Sequence, residues 1–405
     1  MQGSIFSEKH RTFRIRFCIL LSGLALFAQL YLFQPLLAEL QVFFSVPARE
    51  TSLAVSCATL GMAAGLLFFL FVADMLDRRR LMAISLLVAA ILTLVTSWAS
   101  SFPLLLLLTT LKGFVLSGVS AVALSYLNEE LDPSTIGFSI SLYLSGNTVG
   151  GMYGRVLAGL VASSYSWRVA TLTIAISSLV CAVAFIIWFP KSRHFVPTNL
   201  PIRIRLARMG IFLSHPFFLA LFLVASIIMG CFIAIYNYVS FVLTAPPYGL
   251  PRPLVAAIFV LYLMGIVGSI WFGKLSDRHR PQRLLVCALL VLIGGMLLMA
   301  IPTLVTIILG LMAVTFAFGA GHTLASRLVS THAAQGKSSA TCLYWLFYYL
   351  GSSLAGYLLG YLFFAWGWEV LLASTVALGL IALLLAKVFL TSWREPDASF
   401  RLPGP

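Results

Sequence analysis

The sequence predicts an all-α membrane protein with about 12 transmembrane helices in two six-helix pseudo-repeats. Three observations lead to this fold class: the composition, the length of the apolar runs, and a motif that occurs once in each half. Of the 405 residues, 61% are hydrophobic and 9% are charged, whereas a soluble protein carries about 25% charged residues. So few charges cannot cover a globular surface in water, and lipid is therefore the expected solvent.

The apolar runs have the length that a bilayer requires. Each covers about 20 residues, which is enough helix to cross a hydrocarbon core of about 30 Å. The first run is too long for a cleaved signal sequence and no small-residue cleavage site follows it, so we expect it to be retained as a span. The predicted helices cover 17–38, 50–73, 81–99, 102–127, 136–161, 168–189, 216–243, 254–275, 283–301, 303–326, 338–363 and 369–391.

Basic residues separate the apolar runs and give a formal net charge of +14. If the N-terminus is cytoplasmic, the predicted outside loops contain only Arg49, Arg168 and Arg252 as basic residues. This asymmetry follows the positive-inside rule and predicts a multi-pass inner-membrane protein with both termini in the cytoplasm. A nucleic-acid-binding protein would concentrate its basic residues on a polar domain. The sequence has no such domain, and no nucleic-acid partner is expected.

The longest polar break divides the chain near its middle. It runs over 191–215 and is rich in basic residues. We predict an N-terminal six-helix half over 1–190, a cytoplasmic linker over 191–215, a C-terminal six-helix half over 216–391 and a cytoplasmic tail over 392–405. The basic residues of the linker are expected to contact anionic lipid headgroups.

A short motif recurs in the second and eighth predicted helices. Gly65 and Asp74 in the first half correspond to Gly268 and Asp277 in the second half, and a basic cluster follows each aspartate. A second pair of glycines, in the fifth and eleventh helices, repeats in the same way. Two parallel six-helix repeats are typical of a transporter whose site lies between its halves.

The motif resembles one of the major facilitator superfamily, in which the loop after helix 2 reads G-x-x-x-D-x-x-G-R-R. Segment 70–80 reads LFVADMLDRRR, with both glycines replaced, and segment 273–280 reads GKLSDRHR, with the first glycine kept. With the helix count and the central linker, the resemblance covers essentially the whole chain. It implies the major facilitator fold and secondary transport.

The resemblance also implies a role for these residues in holding the cytoplasmic side closed. A carboxylate at the end of a helix can meet the positive N-terminal end of a neighbouring helix. By resemblance, Asp74 would face the start of helix 11 and Asp277 the start of helix 5. The alternative is that the arginines only fix the topology. The gating candidates are Asp74, Arg78, Arg79, Arg80, Asp277 and Arg278.

Further motifs resemble proton-coupled exporters within the superfamily. Segment 145–159 of helix 5 is rich in glycine, as in these exporters, but lacks their proline. In helix 4, Lys112 precedes a glycine where the exporters have glutamine, and Thr109 takes the position of their arginine. Segments 126–130 and 343–351 resemble the YnfM-like branch of bacterial 12-helix drug:proton antiporters. This resemblance implies location in the bacterial inner membrane and export driven by the proton gradient.

Two cations lie inside predicted spans. A charge in the middle of a membrane helix costs about 2.5–3.5 kcal/mol on insertion scales, and it usually faces a cavity or a partner. Lys112 lies near mid-depth, and no Asp or Glu lies in the middle of any predicted span, so Lys112 is expected to attract an anionic group or a carbonyl. Arg155 lies closer to the outer surface, where it either serves the solute or snorkels into the interface.

A proton-coupled carrier needs a group that gains and loses a proton. His322 is the only histidine within a predicted span and titrates near neutral pH in its ordinary state. Lys112 is a second candidate because burial disfavours its charged form. Glu129 and Glu130, near the cytoplasmic end of helix 4, complete the set. The alternative for His322 is a hydrogen bond at a helix interface.

The substrate-binding candidates lie on helices that line the central path in the superfamily. Aromatic side chains with polar tips suit amphipathic or aromatic solutes, although interhelical hydrogen bonding would also explain each residue. The candidates are Tyr31, Gln34, Lys112, Asn147, Arg155, Tyr236, Asn237, Tyr344 and Tyr348.

These observations predict a secondary active transporter that exports a small drug-like or organic-anion solute by alternating access, with protons as the coupling ion. The alternatives are an uptake symporter or facilitator of a small metabolite, and a non-transporting membrane receptor. No P-loop, catalytic cluster or metal-ligand spacing occurs in the sequence, so we expect no catalytic residues, no metal and no cofactor. The protein is expected to act as a monomer, in contact with the bilayer, the solute and protons.

Overall fold

The computed structural model describes residues 2–197, 202–333 and 337–391, and these residues form helices joined by short loops. The predicted tail, 392–405, and residues 198–201 of the predicted linker lie outside the described residues. The helices are α1 (Gln2–Leu30), α2 (Leu37–Phe44), α3 (Ala48–Thr51), α4 (Leu53–Val72), α5 (Arg78–Thr96), α6 (Phe102–Glu130), α7 (Pro133–Ser164), α8 (Trp167–Trp188), α9 (Ile202–Ser214), α10 (Pro216–Thr244), α11 (Arg252–Ala257), α12 (Leu263–Leu275), α13 (Pro281–Leu298), α14 (Leu304–His332), α15 (Lys337–Trp366) and α16 (Trp368–Leu385).

The helices have the dimensions of membrane spans. In the described part of the chain, 11 helical segments are long and apolar enough to cross a membrane. Helix α7 is not among these segments, but it has 32 residues, which corresponds to about 48 Å at the usual helical rise. Its glycine, serine and threonine residues make it less apolar than the others. The predicted class, an all-α membrane protein with about 12 spans, is confirmed.

The first span differs from its predicted bounds at both ends. Helix α1 begins at Gln2, so the basic segment before residue 17 is helical as well. The helix ends at Leu30, and a 3₁₀ turn, Gln34–Leu36, separates it from α2. Pro35 explains the break, because proline lacks the N–H that an α-helix needs and its ring collides with the carbonyl four residues earlier, that of Tyr31.

The predicted linker contains a helix of its own. Helix α9 carries Arg203, Arg205 and Arg208, and it buries Arg205, Met209 and Phe212. It packs on α10 and α15. The polar composition of the segment indicated a loop, but a buried side chain every third or fourth residue is enough to hold one face of a helix against its neighbours.

The described chain folds into two compact units. Unit one comprises 2–46, 53–197 and 252–259, and unit two comprises 47–52, 202–251 and 260–391. In unit one, α1 packs on α7, α4 and α5 pack on α6, α5 also packs on α8, and α11 packs on α7. In unit two, α10 packs on α15, α12 and α13 pack on α14, and the short helix α3 packs on α15.

Glycines bring the paired helices of each unit into backbone contact, and they do so at corresponding places. A Cβ on Gly65 would overlap the carbonyl oxygen of Phe114, and a Cβ on Gly268 would overlap that of Phe316. Small residues permit such close packing of membrane helices. The motif that recurs in the sequence therefore performs the same packing task in α4 and α12.

Candidate transport site

The break in the first span supplies the partners of Arg155. Arg155, on α7, is 1% exposed. Its Nε donates to Oε1 of Gln34 at 2.5 Å, and one terminal nitrogen donates to the carbonyl oxygen of Gly151 at 2.6 Å. The guanidinium also lies 4.3 Å from the ring centroid of Tyr31. Arg155 is thus buried among protein groups, and the snorkelling alternative is wrong.

Arg155 also contacts the segment of unit one that comes from later in the chain. Its guanidinium lies 6.0 Å from the ring centroid of Phe259, which belongs to the 3₁₀ segment Ile258–Tyr262 between α11 and α12. The same guanidinium therefore touches two places where a membrane-spanning helix is interrupted. A stretch of 3₁₀ helix within a longer helix often marks a functional hinge.

Lys112 is buried beside the same break but differs from Arg155 in its partners. Its side chain is fully buried on α6, and Nζ lies 5.1 Å from the ring centroid of Phe33. Among the described residues, no hydrogen-bond acceptor reaches this ammonium group. Among the described residues, Lys112 has neither the anionic group nor the carbonyl that it was expected to attract.

Asn147 belongs to a small polar group that the sequence did not reveal. Asn147 is buried on α7, one turn after Tyr143, and its Oδ1 accepts no hydrogen bond among the described residues. The Tyr143 hydroxyl lies 3.3 Å from that of Ser120 on α6. The spacing of four residues between Tyr143 and Asn147 was the available signal, because residues four apart share one face of a helix.

The gating candidates of the first half form an ion-pair network. Arg78 lies 3.1 Å from Oδ1 of Asp74 and 3.2 Å from Oε1 of Glu129, and it also donates to the carbonyl oxygen of Ala73 at 2.5 Å. Glu129, predicted as a proton-coupling candidate, is therefore an ion-pair partner of a gating candidate.

The other arginines of the cluster have different surroundings. Arg79 donates to the carbonyl oxygen of Ile186 at 2.8 Å, at the end of α8. The side chain of Arg80 is exposed, while its backbone N–H donates to the carboxylate of Asp77 at 2.8 Å, which caps the first turn of α5. These three arginines are thus not equivalent, although they are consecutive in the sequence.

Glu130 holds the start of the predicted linker. Its buried carboxylate forms an ion pair with Arg11 of α1 and accepts the backbone N–H groups of Arg193, at 2.5 Å, and of His194, at 2.8 Å. Two backbone donors and a guanidinium are strong partners for a carboxylate. Arg11, Arg193 and His194 were not predicted to meet Glu130, because a sequence gives no signal for a contact between such distant positions.

In unit two, His322 lies in an aromatic cluster. Its Nδ1 is 2.7 Å from the hydroxyl of Tyr344 on α15. Its ring stacks on Phe318 and lies 5.1 Å from the ring of Tyr348 and 5.2 Å from that of Trp345. The candidates His322, Tyr344 and Tyr348 are therefore neighbours, and Phe318 and Trp345 join them.

The aromatic cluster extends to helix α10. Phe232 stacks on Phe318 with 3.9 Å between ring centroids, and Tyr236 follows Phe232 one turn later. The hydroxyl of Tyr236 hydrogen-bonds to that of Thr315 at 2.8 Å. Asn237, the next residue, is fully buried. The cluster offers flat apolar faces with a few polar groups, as expected of a site for amphipathic solutes.

Asp277 has a different arrangement from Asp74. Arg327, on α14, lies 2.7 Å from Oδ1 of Asp277 and 2.6 Å from the hydroxyl of Ser276. Arg278 is exposed. The two halves thus repeat the aspartate, while the arginine comes from the following helix in one case and from a more distant helix in the other. The contacts with the starts of helices 11 and 5 stay predictions.

The spans, the interrupted helices and the buried polar side chains within them define a class of protein, the polytopic solute carrier. The chain belongs to the Major Facilitator Superfamily, whose family model matches residues 18–356. It is therefore a multi-pass membrane protein with the fold of a secondary transporter.

Relatives and solved structures agree with this assignment. The chain is 34% identical to the MFS-type transporter YybF of Bacillus subtilis (strain 168), over 95% of each chain. It is 33% identical to the inner membrane transport protein YnfM of Escherichia coli (strain K12), over 92% of this chain and 89% of YnfM. A D-xylose-proton symporter has the same fold, with a TM-score of 0.75 at 15% identity over 94% of this chain and 98% of the symporter. The resemblance to a YnfM-like branch is confirmed.

Proposed function

We propose that the protein is a proton-coupled exporter of a small drug-like or organic-anion solute in the bacterial inner membrane. The hydrogen bond between His322 and Tyr344 within the aromatic cluster carries the proposal. Histidine is the side chain whose ordinary titration falls between pH 5 and 8. A proton on His322 and a solute against the neighbouring rings would affect each other directly, which is what coupling requires.

The contacts of the two acidic proton candidates support this choice. Glu129 pairs with Arg78, and Glu130 is held by Arg11 and two backbone N–H groups. Both carboxylates are thus engaged in charge-assisted hydrogen bonds, which hold helix ends and the start of the predicted linker in place. We therefore assign them structural roles and place the exchangeable proton on His322.

The proposed cycle is alternating access. The two six-helix halves, 1–190 and 216–391, move in each cycle so that the protein opens first to one side of the membrane and then to the other, and both termini stay in the cytoplasm. Asp74 and Asp277, with their arginines, stabilise the state that is closed to the cytoplasm. The monomer is the proposed transporting unit, because each half brings its own candidate residues.

Flux measurements in vesicles test the proposal. The purified protein is reconstituted with an internal pH indicator, and aromatic dyes and organic anions are added outside. An antiporter releases protons as the solute enters, so the internal pH rises; a symporter makes it fall. Solute flux without a change of internal pH would contradict proton coupling.

Two variants of the same helix locate the proton site. In His322→Gln, solute-driven proton movement should be lost, because glutamine cannot take up a proton. His332→Gln is the matched control, since His332 lies on α14 as well, where its Nδ1 is 2.9 Å from the carbonyl oxygen of Leu328 within the same helix. Normal coupling in His322→Gln would rule out His322 as the proton carrier.

A further inference from the structure

Five carboxylates of unit one lie at helix ends and are engaged there. Four of them form ion pairs with arginines, and a fifth caps α5. The ion pairs are Glu39 with Arg252, Asp74 and Glu129 with Arg78, and Glu130 with Arg11, while Asp77 is the cap. None of these pairs includes a cation from the middle of a span, so the charge on Lys112 is not balanced by a carboxylate among the described residues.

Lys112 and Arg155 differ in the hydrogen-bond acceptors that the protein gives them. Arg155 donates to Gln34 and to the carbonyl of Gly151. Lys112 is fully buried, and its Nζ has no hydrogen-bond partner among the described residues. An ammonium group carries three donors, and the ring face of Phe33 at 5.1 Å offers electrostatic attraction but no lone pair. A buried charge left in this state is expensive, which marks a residue kept for function.

We propose that Lys112 binds the negatively charged group of the transported solute, a monoanion such as a carboxylate with an apolar or aromatic body. The inference rests on the proposed transport function and specifies its substrate class. A single anionic group would balance the charge on Nζ and accept hydrogen bonds from it, and the adjacent ring of Phe33 provides an apolar surface for the part of the solute next to its charge. Arg155 does not bind this group and instead holds the break in the first span.

Binding of a matched pair of probes tests the charge requirement. 1-Naphthoate and its neutral amide, 1-naphthamide, share one ring system and differ in charge. We expect naphthoate to raise the melting temperature of the purified protein and the amide to have a much smaller effect. Equal stabilisation by both probes would overturn the inference. Chloride is titrated in parallel. If chloride without naphthoate raises the melting temperature and also displaces naphthoate, the site takes an inorganic anion, and the inference is overturned.

Variants of Lys112 separate a ligand-binding role from a structural one. In Lys112→Met, the dissociation constant of naphthoate should rise at least about tenfold, since a charge-assisted hydrogen bond is lost. The melting temperature without ligand should rise, because the substitution removes an unpaired buried charge. Lys112→Arg should keep part of the preference for naphthoate over the amide. Lys274→Met is the control, since Lys274 is exposed.

A structural lysine would give the opposite pattern. A lower melting temperature in Lys112→Met, with the affinity for naphthoate unchanged, would overturn the inference. The same variants in vesicles distinguish this failure from failure of the transport proposal. Flux of naphthamide equal to that of naphthoate in the wild type and in Lys112→Met would refute the anion site and leave transport standing. Naphthoate binding that depends on Lys112, without flux of any solute under any gradient, would refute transport and leave the anion site standing.

Discussion

The hydroxyl of Tyr344 on α15 lies 2.7 Å from Nδ1 of His322 on α14 and 3.2 Å from the carbonyl oxygen of the same histidine. One tyrosine thus fixes both the ring and the backbone of the residue to which we assign the proton. Such a partner sets which ring nitrogen carries a hydrogen, and with it how readily the ring takes up a second one. The pair joins two helices that also supply the aromatic rings of the proposed solute site.

Tyr344→Phe should therefore alter proton coupling more than solute binding. The substitution keeps the ring and removes a hydrogen bond with a net worth of about 0.5–1.5 kcal/mol. We expect the pH profile of transport to move by up to about one pH unit, with the affinity for the solute retained. Tyr357→Phe, on the same helix, removes a hydroxyl that pairs with Tyr361 instead and should leave the profile unchanged. A normal profile in Tyr344→Phe would exclude a role in proton coupling.

Asp74→Asn should weaken closure on the cytoplasmic side. The substitution removes the charge that pairs with Arg78 at 3.1 Å, and it removes the carboxylate that could meet a helix N-terminus. Cysteines introduced along the inner cavity should react faster with a water-soluble maleimide than in the wild type. Asp77→Asn is the control, because asparagine also caps helices. Unchanged labelling in Asp74→Asn would contradict the gating role.

Glu130→Gln should release the start of the predicted linker from unit one. Glutamine loses the charge that pairs with Arg11 and weakens acceptance of the N–H groups of Arg193 and His194. Losing one partner of a buried pair costs about 3–5 kcal/mol. Trypsin should then cut after Arg193 much faster than in the wild type. Glu129→Gln serves as the neighbouring control. Cleavage as slow as in the wild type in both variants would show that Glu130 does not hold the start of the predicted linker.

Gly113→Ala should destabilise the contact between α4 and α6. A Cβ on Gly113 would overlap the carbonyl oxygen of Ala58, and a backbone cannot yield as a flexible side chain does. We expect a loss of about 1–3 kcal/mol, typical of an overpacked core. Gly294→Ala is the matched helical control, because open space surrounds that position. Its stability should stay the same or rise slightly, as alanine is the better helix former. Thermal unfolding in detergent compares the two.

Features that depend on local composition could be predicted from the sequence. Hydropathy fixes the spans because the bilayer sets their length. The sequence of α7 is rich in glycine, and Gly150 and Gly154 lie against the backbone of α1 at Leu24 and Ala28. Such close packing can be predicted from residue size alone, because small residues let two membrane helices approach each other closely.

Features that depend on contacts between distant positions could not be predicted from the sequence. Nothing near Glu130 in the sequence points to Arg11, and nothing near Arg155 points to Phe259. The N-terminal basic segment was explained by topology alone, although Arg11 and Arg14 also bind groups on other helices. Charge patterns show which side of the membrane a residue prefers, whereas its partner is decided by how the helices pack.

Unit one contains a segment from late in the chain, and this has a consequence for biosynthesis. Residues 252–259 follow α9 and α10 in the chain, yet they pack on α7, where Ala256 faces Gly159 and Phe259 meets Arg155. The ribosome therefore delivers α1 to α8 to the translocon well before it delivers the segment that finishes their packing. Until that segment has been inserted, Gly159 of α7 lacks its contact with Ala256, and the guanidinium of Arg155 lacks its contact with Phe259.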